Sequence, residues 1–223
     1  MRSGSAVGVG VDDMDVVVKV GGSLLESESL PSLLTTLGEL ARTHRLVVVP
    51  GGGPFADAVR RACSLYDPGA SAAHWMAILA MDQHAHFLAG LLPAGRVTTT
   101  PDEIASVLAE GLLPVLSPFR WLHAVDPLPH GWHVTSDSIA AWVAARLRAR
   151  RLVLLKSIPG VPGASGDVLA DAPLRSPALA GIVDEHFPQA VEPGLECWVV
   201  SGREPERLAE LLRDGRTQGT RLH

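Results

Sequence analysis

Lys19 interrupts a segment that is otherwise made of valine. It is the single charge in residues 16–20, and Gly21, Gly22 and Ser23 follow this segment directly. The valines predict a buried parallel strand, and the glycines permit a tight turn in which backbone N–H groups approach a ligand. A buried lysine without a partner would be costly, so Lys19 either reaches solvent or faces a fixed anion. The spacing matches neither a P-loop nor a G-x-G-x-x-G dinucleotide loop.

Lys156 repeats this arrangement in the second half of the chain. It ends the mainly apolar segment 151–156 and precedes a turn that contains Ser157, Gly160 and Val161. These two lysines are the only ones in the sequence, and the remaining strongly basic residues are all arginine. Lysine is a compact point charge that suits phosphate. The sequence therefore predicts two phosphate-directed cations at the ends of two buried strands.

A second glycine turn follows the next predicted strand. Residues 46–49 are Leu-Val-Val-Val, and Pro50 then leads into Gly51, Gly52 and Gly53, after which a helical pattern begins. Two successive units of strand, glycine turn and helix favour parallel strands with right-handed crossovers, which bring both turns to the carboxyl edge of one sheet. Helix N-termini at that edge carry partial positive charge, so the edge suits an anionic ligand.

The segment 71–92 has the pattern of a helix that is apolar on two faces. The two stripes are Ala72, Trp75, Met76, Leu79 and Phe87 on one side, and Ile78, Met81, Ala85, Leu88 and Leu92 on the other. One stripe can cover the sheet while the other meets a second subunit, a contact that substitution of Met81 or Leu88 would test. The alternative is a helix fully buried within one domain. We interpret His74, His84 and His86 as surface or interface groups, because they lack the i, i+4 spacing of a metal pair.

Two further segments bear on a site. Residues 119–132 have no period, which indicates either an ordered loop over a site, with Asp126 in it, or a plain surface hairpin. Residues 135–138, Thr-Ser-Asp-Ser, begin a predicted helix and are either functional or only a helix cap. Residues 162–177 are predicted to be a loop, and residues 219–222 a closing edge strand.

Composition limits the class of protein. The 223 residues are 47% hydrophobic and 19% charged with a formal charge of −5, which is typical of a globular chain and argues against a nucleic-acid partner. Cys63 and Cys197 are too few for a disulfide framework or a zinc site, so we expect a reducing, cytoplasmic setting. No apolar run is long enough for a membrane span, no signal peptide is recognisable, and the first dozen residues are predicted to be a frayed tail.

With these pieces in order, the chain resembles the amino acid kinase family from residue 16 to its C-terminus. The segments that carry the resemblance are 19–23, 50–54, 111–115, 135–141, 154–161 and 201–220. The resemblance implies an α/β fold, a three-layer αβα sandwich with a mainly parallel central sheet, and a single domain over residues 1–223. Within that domain, residues from about 16 to 130 would bind the phosphoryl acceptor and those from about 131 to 223 would bind ATP.

The resemblance also implies roles for individual residues, with ATP and Mg²⁺ as cofactors and no metal ligand assigned. The catalytic residues would be Lys19, Asp137 and Lys156, with Asp137 orienting the lysines. ATP contacts would come from Gly21, Gly22, Ser23, Lys156, Ser157, Gly160 and Val161, and acceptor contacts from Gly51, Gly52, Gly53, Asp126 and Ser136. One departure stands out, because many family members carry a second catalytic lysine in a Gly-Gly-Met segment that has no counterpart between residues 161 and 197.

Residues 126–130 and 183–187 most resemble a branch of the family that makes a diphosphate from a phosphate monoester in one-carbon cofactor biosynthesis. We therefore expect an ATP- and magnesium-dependent kinase acting on a small phosphate acceptor, with a carboxylate acceptor left open. The alternative is a nucleotide- or oxyanion-binding regulatory or storage protein of the same fold without turnover. A homodimer through the 71–92 helix is expected, with no nucleic-acid or membrane partner.

Overall fold

The computed structural model describes residues 14–223, and the predicted N-terminal tail lies outside this range. The strands in this part are β1 (Val16–Val20), β2 (Leu46–Pro50), β3 (Gly95–Thr98), β4 (Leu113–Leu116), β5 (Arg151–Lys156), β6 (Asp171–Ala172), β7 (Glu196–Ser201) and β8 (Thr220–Leu222). The helices are α1 (Leu30–Leu40), α2 (Gly53–Tyr66), α3 (Ala70–Leu91), α4 (Pro101–Ala109), α5 (Phe119–Val125), α6 (Ser136–Arg146), α7 (Phe187–Ala190) and α8 (Glu206–Asp214). None of these helices has the length and hydropathy to cross a membrane.

All eight strands form one sheet in the order β3-β4-β2-β1-β5-β7-β8-β6. Neighbouring strands are parallel, except that β7 and β8 are antiparallel. The first and second halves of the chain meet in the middle of the sheet, where β1 pairs with β5. Strands β1, β2 and β5 therefore end side by side at one carboxyl edge, as the strand and turn pattern predicts. The expected mainly parallel sheet is confirmed.

Strand residues alternate between two apolar layers. Val17 and Leu154 belong to the layer that contains α6, whereas Val18 belongs to the layer that contains α1 and α8. Successive strand residues point to opposite faces, so Lys19 and Lys156 share the face of Val17 and Leu154. Both lysines consequently point toward the α6 layer at the carboxyl edge.

Residues 119–132 are partly helical, which the sequence analysis did not predict. Helix α5 occupies the first half of this segment, and Asp82 Oδ1 accepts the N–H of Phe119 at 3.1 Å. Phe119 and His123 of α5 pack on Trp75 of α3, with ring centroids 6.0 and 4.8 Å apart. Aromatic and imidazole rings make part of the inward contact, together with the buried Leu122 and Leu128, so the apolar period of the segment is weak.

Two strand predictions also need correction. The predicted loop 162–177 contains the short strand β6. Strand β8 is not at the edge of the sheet, because β6 pairs with it on the side away from β7. A strand of two residues is too short to leave a pattern in the sequence.

Helix α3 has one buried and one exposed apolar stripe. Met81 and Leu88 are 2% and 0% exposed, so their stripe faces the core. Leu79 and Phe87 of the other stripe are 41% and 43% exposed. The interpretation of the histidines on this helix was wrong for two of the three, because His74 and His84 are buried and only His86 is exposed.

Candidate active site

A cleft of about 510 Å³ opens at the carboxyl edge of β1, β2 and β5. The catalytic residues implied by the resemblance, Lys19, Asp137 and Lys156, all line it. Gly22 and Gly53 bring the two glycine turns to its wall. The sheet register explains this meeting, because β1 and β5 are adjacent and Lys19 lies opposite Leu154, two residues before Lys156.

Asp137 bridges the two lysines. Lys19 Nζ lies 2.8 Å from Asp137 Oδ1, and Lys156 Nζ donates to Oδ1 at 2.9 Å and to Oδ2 at 2.8 Å. The side chains of Lys19 and Asp137 are each 5% exposed, and that of Lys156 is 16% exposed. Two cations share one anion, so this buried group has an excess positive charge facing the cleft.

The pKa values of the group follow from this arrangement. Burial acts to raise the pKa of Asp137, but the charges of Lys19 and Lys156 lower it below its ordinary value, so the carboxylate is ionised. Burial, followed by the charge of Lys19, lowers the pKa of Lys156 to about 8, although Asp137 opposes this shift. Lys156 is thus a cation whose charge can be lost just above neutral pH.

Asp137 is positioned by the N-terminus of α6, where it is the second helical residue. The helix has no side-chain cap from Thr135; instead Asp184, from a segment 46 or more residues later, takes that position. Asp184 Oδ2 accepts the N–H and hydroxyl of Thr135 at 2.9 and 2.8 Å and the N–H of Ser138 at 3.0 Å. The hydroxyl of Ser138 donates to Asp184 Oδ1.

Asp184 was missed as a functional residue by the sequence analysis. Residues 183–187, which contain Asp184, contribute to the family resemblance, but that resemblance implied no role for Asp184. A carboxylate that accepts several charge-assisted hydrogen bonds holds its partners firmly. It therefore fixes the start of α6 and, through it, the carboxylate of Asp137.

The two glycine turns touch each other backbone to backbone. A Cβ on Gly22 would lie 2.4 Å from the nitrogen of Gly53, closer than any side chain permits. Gly53 itself has a φ of +54°, in the left-handed region that favours glycine. The buried ring of His84 supports the second turn, because its Nδ1 donates to the carbonyl of Gly51 at 2.6 Å. Close approach therefore requires glycine at both positions.

Only some of the glycine amides remain free for a ligand. The N–H of Gly21 donates to Leu155 at 2.9 Å and that of Gly51 to Val20 at 2.8 Å, so neither is available in this conformation. The amides of Gly22, Gly52 and Gly53 have no acceptor among residues 14–223, and these three glycines line the cleft. Oriented N–H groups at the start of α2 form a site suited to an anion.

The wall beyond the glycines is apolar and aromatic, with charges at its rim. Ile78, Met81 and His74 of α3 line it, as does Trp132. Arg60 of α2 stacks over the Trp132 ring, with Cζ 5.2 Å from the centroid, and is paired with Asp57 at 2.7 Å. A planar, partly apolar ligand could be accommodated here with its anionic end on the glycines.

The other predicted site residues lie in different places. Ser23 and Ser136 line the cleft, but Asp126 does not; its exposed carboxylate is 2.9 Å from His130 Nε2. Ser157, Gly160 and Val161 are also outside the cleft lining. The N–H of Val161 donates to Thr220 Oγ1 at 2.8 Å, so this donor is occupied. Their roles as ATP contacts stay predictions.

The protein offers no dedicated cage for magnesium in the part that the structure describes, because no three His, Cys, Asp or Glu side chains there are grouped to hold a metal ion. Asp137 is bonded to lysines and Asp184 to α6. Magnesium in kinases is commonly held by substrate phosphates and water with one or two carboxylates. The cleft fits that mode, with the exposed carboxylates of Glu26 and Asp57 as the candidates on the protein.

Comparisons with known sequences show which proteins this chain is similar to. The model of the amino acid kinase family matches residues 14–174. The chain is 29% identical over 205 residues to the (5-(aminomethyl)furan-3-yl)methyl phosphate kinase of Methanocaldococcus jannaschii, covering 88% of this chain and 92% of the relative. It is also 29% identical over 124 residues to an acetylglutamate kinase of Geobacter sulfurreducens, covering 55% of this chain and 40% of that protein.

Solved structures share the fold. Uridylate kinase from Archaeoglobus fulgidus has a TM-score of 0.74 at 19% identity, covering 94% of this chain and 100% of that one. N-acetylglutamate synthase from Neisseria gonorrhoeae, complexed with coenzyme A and L-arginine, has a TM-score of 0.64 at 17% identity, covering 94% of this chain and 61% of that one. The family model spans most of the sequence, and the resemblance drawn from the motifs is thereby confirmed: the chain belongs to the amino acid kinase family.

Proposed function

We propose that this small-molecule kinase transfers the γ-phosphoryl group of ATP to a small phosphate monoester, which becomes a diphosphate. The observation that carries the proposal is the buried group of Lys19, Asp137 and Lys156, which faces the same cleft as the free amides of the glycine turns. The similarity to the aminomethylfuran phosphate kinase, along nearly the whole of both chains, supports the phosphate acceptor over a carboxylate.

Hydrogen-bond capacity defines what the lysines can do. A lysine ammonium has three donors. Lys19 uses one of them on Asp137, and Lys156 uses donors on both carboxylate oxygens. Both lysines line the cleft, so their remaining donors can contact oxygens of the phosphoryl group while it moves between two anions.

Phosphoryl transfer mainly requires that two anions be held in line and that developing charge be neutralised. The acceptor phosphate supplies its own oxygen nucleophile, so the protein needs no general base. That oxygen bonds to the γ-phosphorus while the bond to the β–γ bridging oxygen breaks, and ADP leaves with the electron pair. Lys19 and Lys156 neutralise charge on the transferring group, and the amides of Gly22, Gly52 and Gly53 hold the acceptor phosphate.

Magnesium would enter with ATP, shielding the charges of the nucleotide phosphates when bound. The two lysines, which exceed Asp137 by one positive charge, would then neutralise a smaller negative charge than that of free ATP. Because the nucleotide phosphates would supply ligands to the metal, the site needs few protein ligands to it. The ATP-binding half is proposed to comprise residues from about 131 to 223, the second half of the chain.

A nucleotide- or oxyanion-binding protein without turnover is the second candidate. The observation that favours it is the lack of any lysine after Lys156, where many family members carry one. Such a protein would bind ATP in the same cleft and leave it intact. Turnover separates the two candidates.

The test is ATP-dependent product formation, followed by mass spectrometry, with magnesium and a panel of acceptors. The panel contains (5-(aminomethyl)furan-3-yl)methyl phosphate, uridine monophosphate, isopentenyl phosphate, acetylglutamate and carbamate. We expect a diphosphate from the furan phosphate, and Lys19→Ala should lower that turnover by at least ~10²-fold because the transition state loses a fixed charge. Turnover confined to acetylglutamate or carbamate would refute the phosphate acceptor, and ATP binding without any product would favour the second candidate.

A homodimer through the exposed stripe of α3 is part of the proposal. Met76, Leu79, Phe87 and Leu91 are 37% to 49% exposed along one helix, and Leu65 and Tyr66 of α2 are 73% and 84% exposed. Helices α2 and α3 pack against each other. Large exposed apolar side chains on two packed helices support a protein contact rather than a solvated surface.

A further inference from the structure

His74 is a buried polar side chain whose hydrogen bonds the protein does not satisfy. It is 6% exposed, it lines the cleft, and neither ring nitrogen has a partner among residues 14–223. Neither nitrogen is among the fully enclosed atoms that lack a partner, so at least part of the ring reaches open space. The open space beside His74 is the cleft.

The ring of His74 is held in one orientation by its neighbours. It stacks on His130, with centroids 4.6 Å apart and planes 18° apart, and meets the edge of Trp75 at 5.0 Å. His130 is itself fixed at both nitrogens, by Ser71 Oγ at 2.8 Å and by Asp126 Oδ1 at 2.9 Å. The sequence predicted that Asp126 contacts the acceptor. In the structure Asp126 contacts His130, so an effect of Asp126 on the acceptor would pass through the stacked rings of His130 and His74.

The place of His74 on α3 sets its distance from the anion site. The Ala77 carbonyl lies 3.7 Å from where a Cβ on Gly52 would be, so α3 packs against the second glycine turn at this point. His74 is three residues earlier, roughly 4.5 Å along the helix axis at 1.5 Å per residue. It shares its helical face with Ile78 and Met81 of the cleft wall. A small ring whose phosphate lies on the glycines would extend toward His74.

The chemistry of the ring is that of a neutral imidazole. Burial, followed by the nearby His130, lowers the pKa of His74 to about 4, and Asp126 opposes this only partly. A neutral imidazole has one lone pair and one N–H. It can accept a hydrogen bond from an ammonium or hydroxyl group without the repulsion that a charged ring would exert on a cation.

We propose that His74 is the specificity-determining residue that accepts a hydrogen bond from a donor group, ammonium or hydroxyl, at the end of the acceptor remote from its phosphate. This inference rests on the proposed function and names the part of the acceptor that the cleft recognises. The aminomethyl group in the name of the Methanocaldococcus jannaschii relative is a donor of this kind.

The test compares two acceptors that differ only in the donor. They are (5-(aminomethyl)furan-3-yl)methyl phosphate and its analogue with a methyl group in place of the aminomethyl group. For His74→Phe, we expect KM for the amine acceptor to rise at least ~10-fold, the size of one lost hydrogen bond to a charged group, while kcat and KM for ATP change less than about threefold. The methyl analogue should be affected much less, so discrimination between the two falls.

Two variants serve as controls. His123→Phe makes the same change within the aromatic cluster, but on an exposed residue outside the cleft lining, and should leave both acceptors unaffected. His74→Gln retains a lone-pair acceptor and should recover part of the discrimination. Thermal unfolding of each variant checks that the fold is kept.

The outcomes are distinct. Equal loss for both acceptors in His74→Phe, or unchanged discrimination, overturns the role of His74 while the kinase assignment stands. If discrimination survives in His74→Phe but disappears in Asp57→Asn, the amine is bound by Asp57 at the rim of the cleft. That result also overturns the role of His74. If the wild-type enzyme phosphorylates neither furan phosphate, this inference fails, whereas the proposed function fails only if no other phosphate monoester of the panel is phosphorylated either.

Discussion

At the scale of single residues, Lys156 is a site group whose charge changes just above neutral pH. Burial and Lys19 lower its pKa to about 8, so it is protonated below that pH and loses its charge above it. A bound phosphate would favour the charged form and raise this pKa again. Near pH 8, Lys156 is therefore expected to be neutral in a fraction of the free enzyme molecules but charged in the complex with ATP.

This difference predicts a pH profile. The parameter kcat/KM for ATP reports the free enzyme and should be flat below about pH 8, then fall about tenfold per pH unit above it. The fall in kcat, which reports the complex, should begin at a higher pH. Steady-state kinetics over roughly pH 6.5 to 9.5, a range that brackets a pKa of about 8, provides the measurement.

Lys156→Arg is the matched variant, because a guanidinium stays charged over this range. Its rates should be lower, since a planar fork replaces a point charge against Asp137, but the fall above pH 8 should vanish. An identical fall in the variant would assign the titration to another group. Loss of the variant's fold, seen as a lower unfolding temperature, is checked separately.

At the scale of elements, the site depends on the contact between the two glycine turns. A Cβ at Gly22 would lie 2.4 and 2.5 Å from the nitrogen and Cα of Gly53, both backbone atoms that cannot rotate away. Gly22→Ala should therefore separate the turns and misdirect the amides of Gly52 and Gly53. A displacement of about 1 Å can cost on the order of 10²-fold in rate, and we expect a loss of that size in kcat/KM for the acceptor.

Gly38→Ala is the control for this substitution. Gly38 lies within α1, and a Cβ there meets nothing within 4 Å. The replacement should leave the kinetics unchanged and stabilise the fold by about 0.4–1 kcal/mol, because it restricts the unfolded chain. Normal acceptor kinetics in Gly22→Ala would show that the turns adjust and that their contact has only a structural role.

The success of sequence reasoning also varies by element. Strands β1, β2 and β5 and their turns follow from runs of valine and leucine, glycines and two lone lysines, because a fully buried parallel strand has a distinctive composition. The parallel order then brings Lys19 and Lys156 to one edge. Helix α5 and the clamp by Asp184 could not be found in this way, since one depends on aromatic contacts with α3 and the other on a partner 46 or more residues away.

Helix α3 shows why a pattern alone cannot decide which face is buried. Both stripes are apolar, so the sequence indicates two partners but not which stripe meets the sheet. The buried stripe contains His74 and His84 beside Ile78, Met81 and Leu88, and each imidazole has a local reason to be there. His84 holds the Gly51 carbonyl, and His74 faces the cleft.

At the scale of the whole molecule, the exposed stripe of α3 leaves an apolar surface on the same helix that forms one wall of the cleft. A second subunit on this stripe would fix α3 from outside while the sheet holds it from inside. The acceptor wall, including His74, would then be part of a rigid element shared by the dimer. Substitution of Met81 or Leu88 cannot test this contact, because these residues are buried and a charge there would unfold the chain.

The dimer contact can be tested by substitution of its exposed side chains. Leu79→Asp and Phe87→Asp, 41% and 43% exposed, place a charge in the proposed contact without entering the core, and should convert a dimer into a monomer. Val125→Asp is the matched control, since Val125 is 53% exposed and belongs to α5 rather than to the stripe of α3, and it should leave the dimer intact. Sedimentation at micromolar concentration measures the mass of each variant, and thermal unfolding confirms that it is folded. A monomeric wild-type chain would remove the contact altogether, whereas dimers that persist in both α3 variants would place it on another surface.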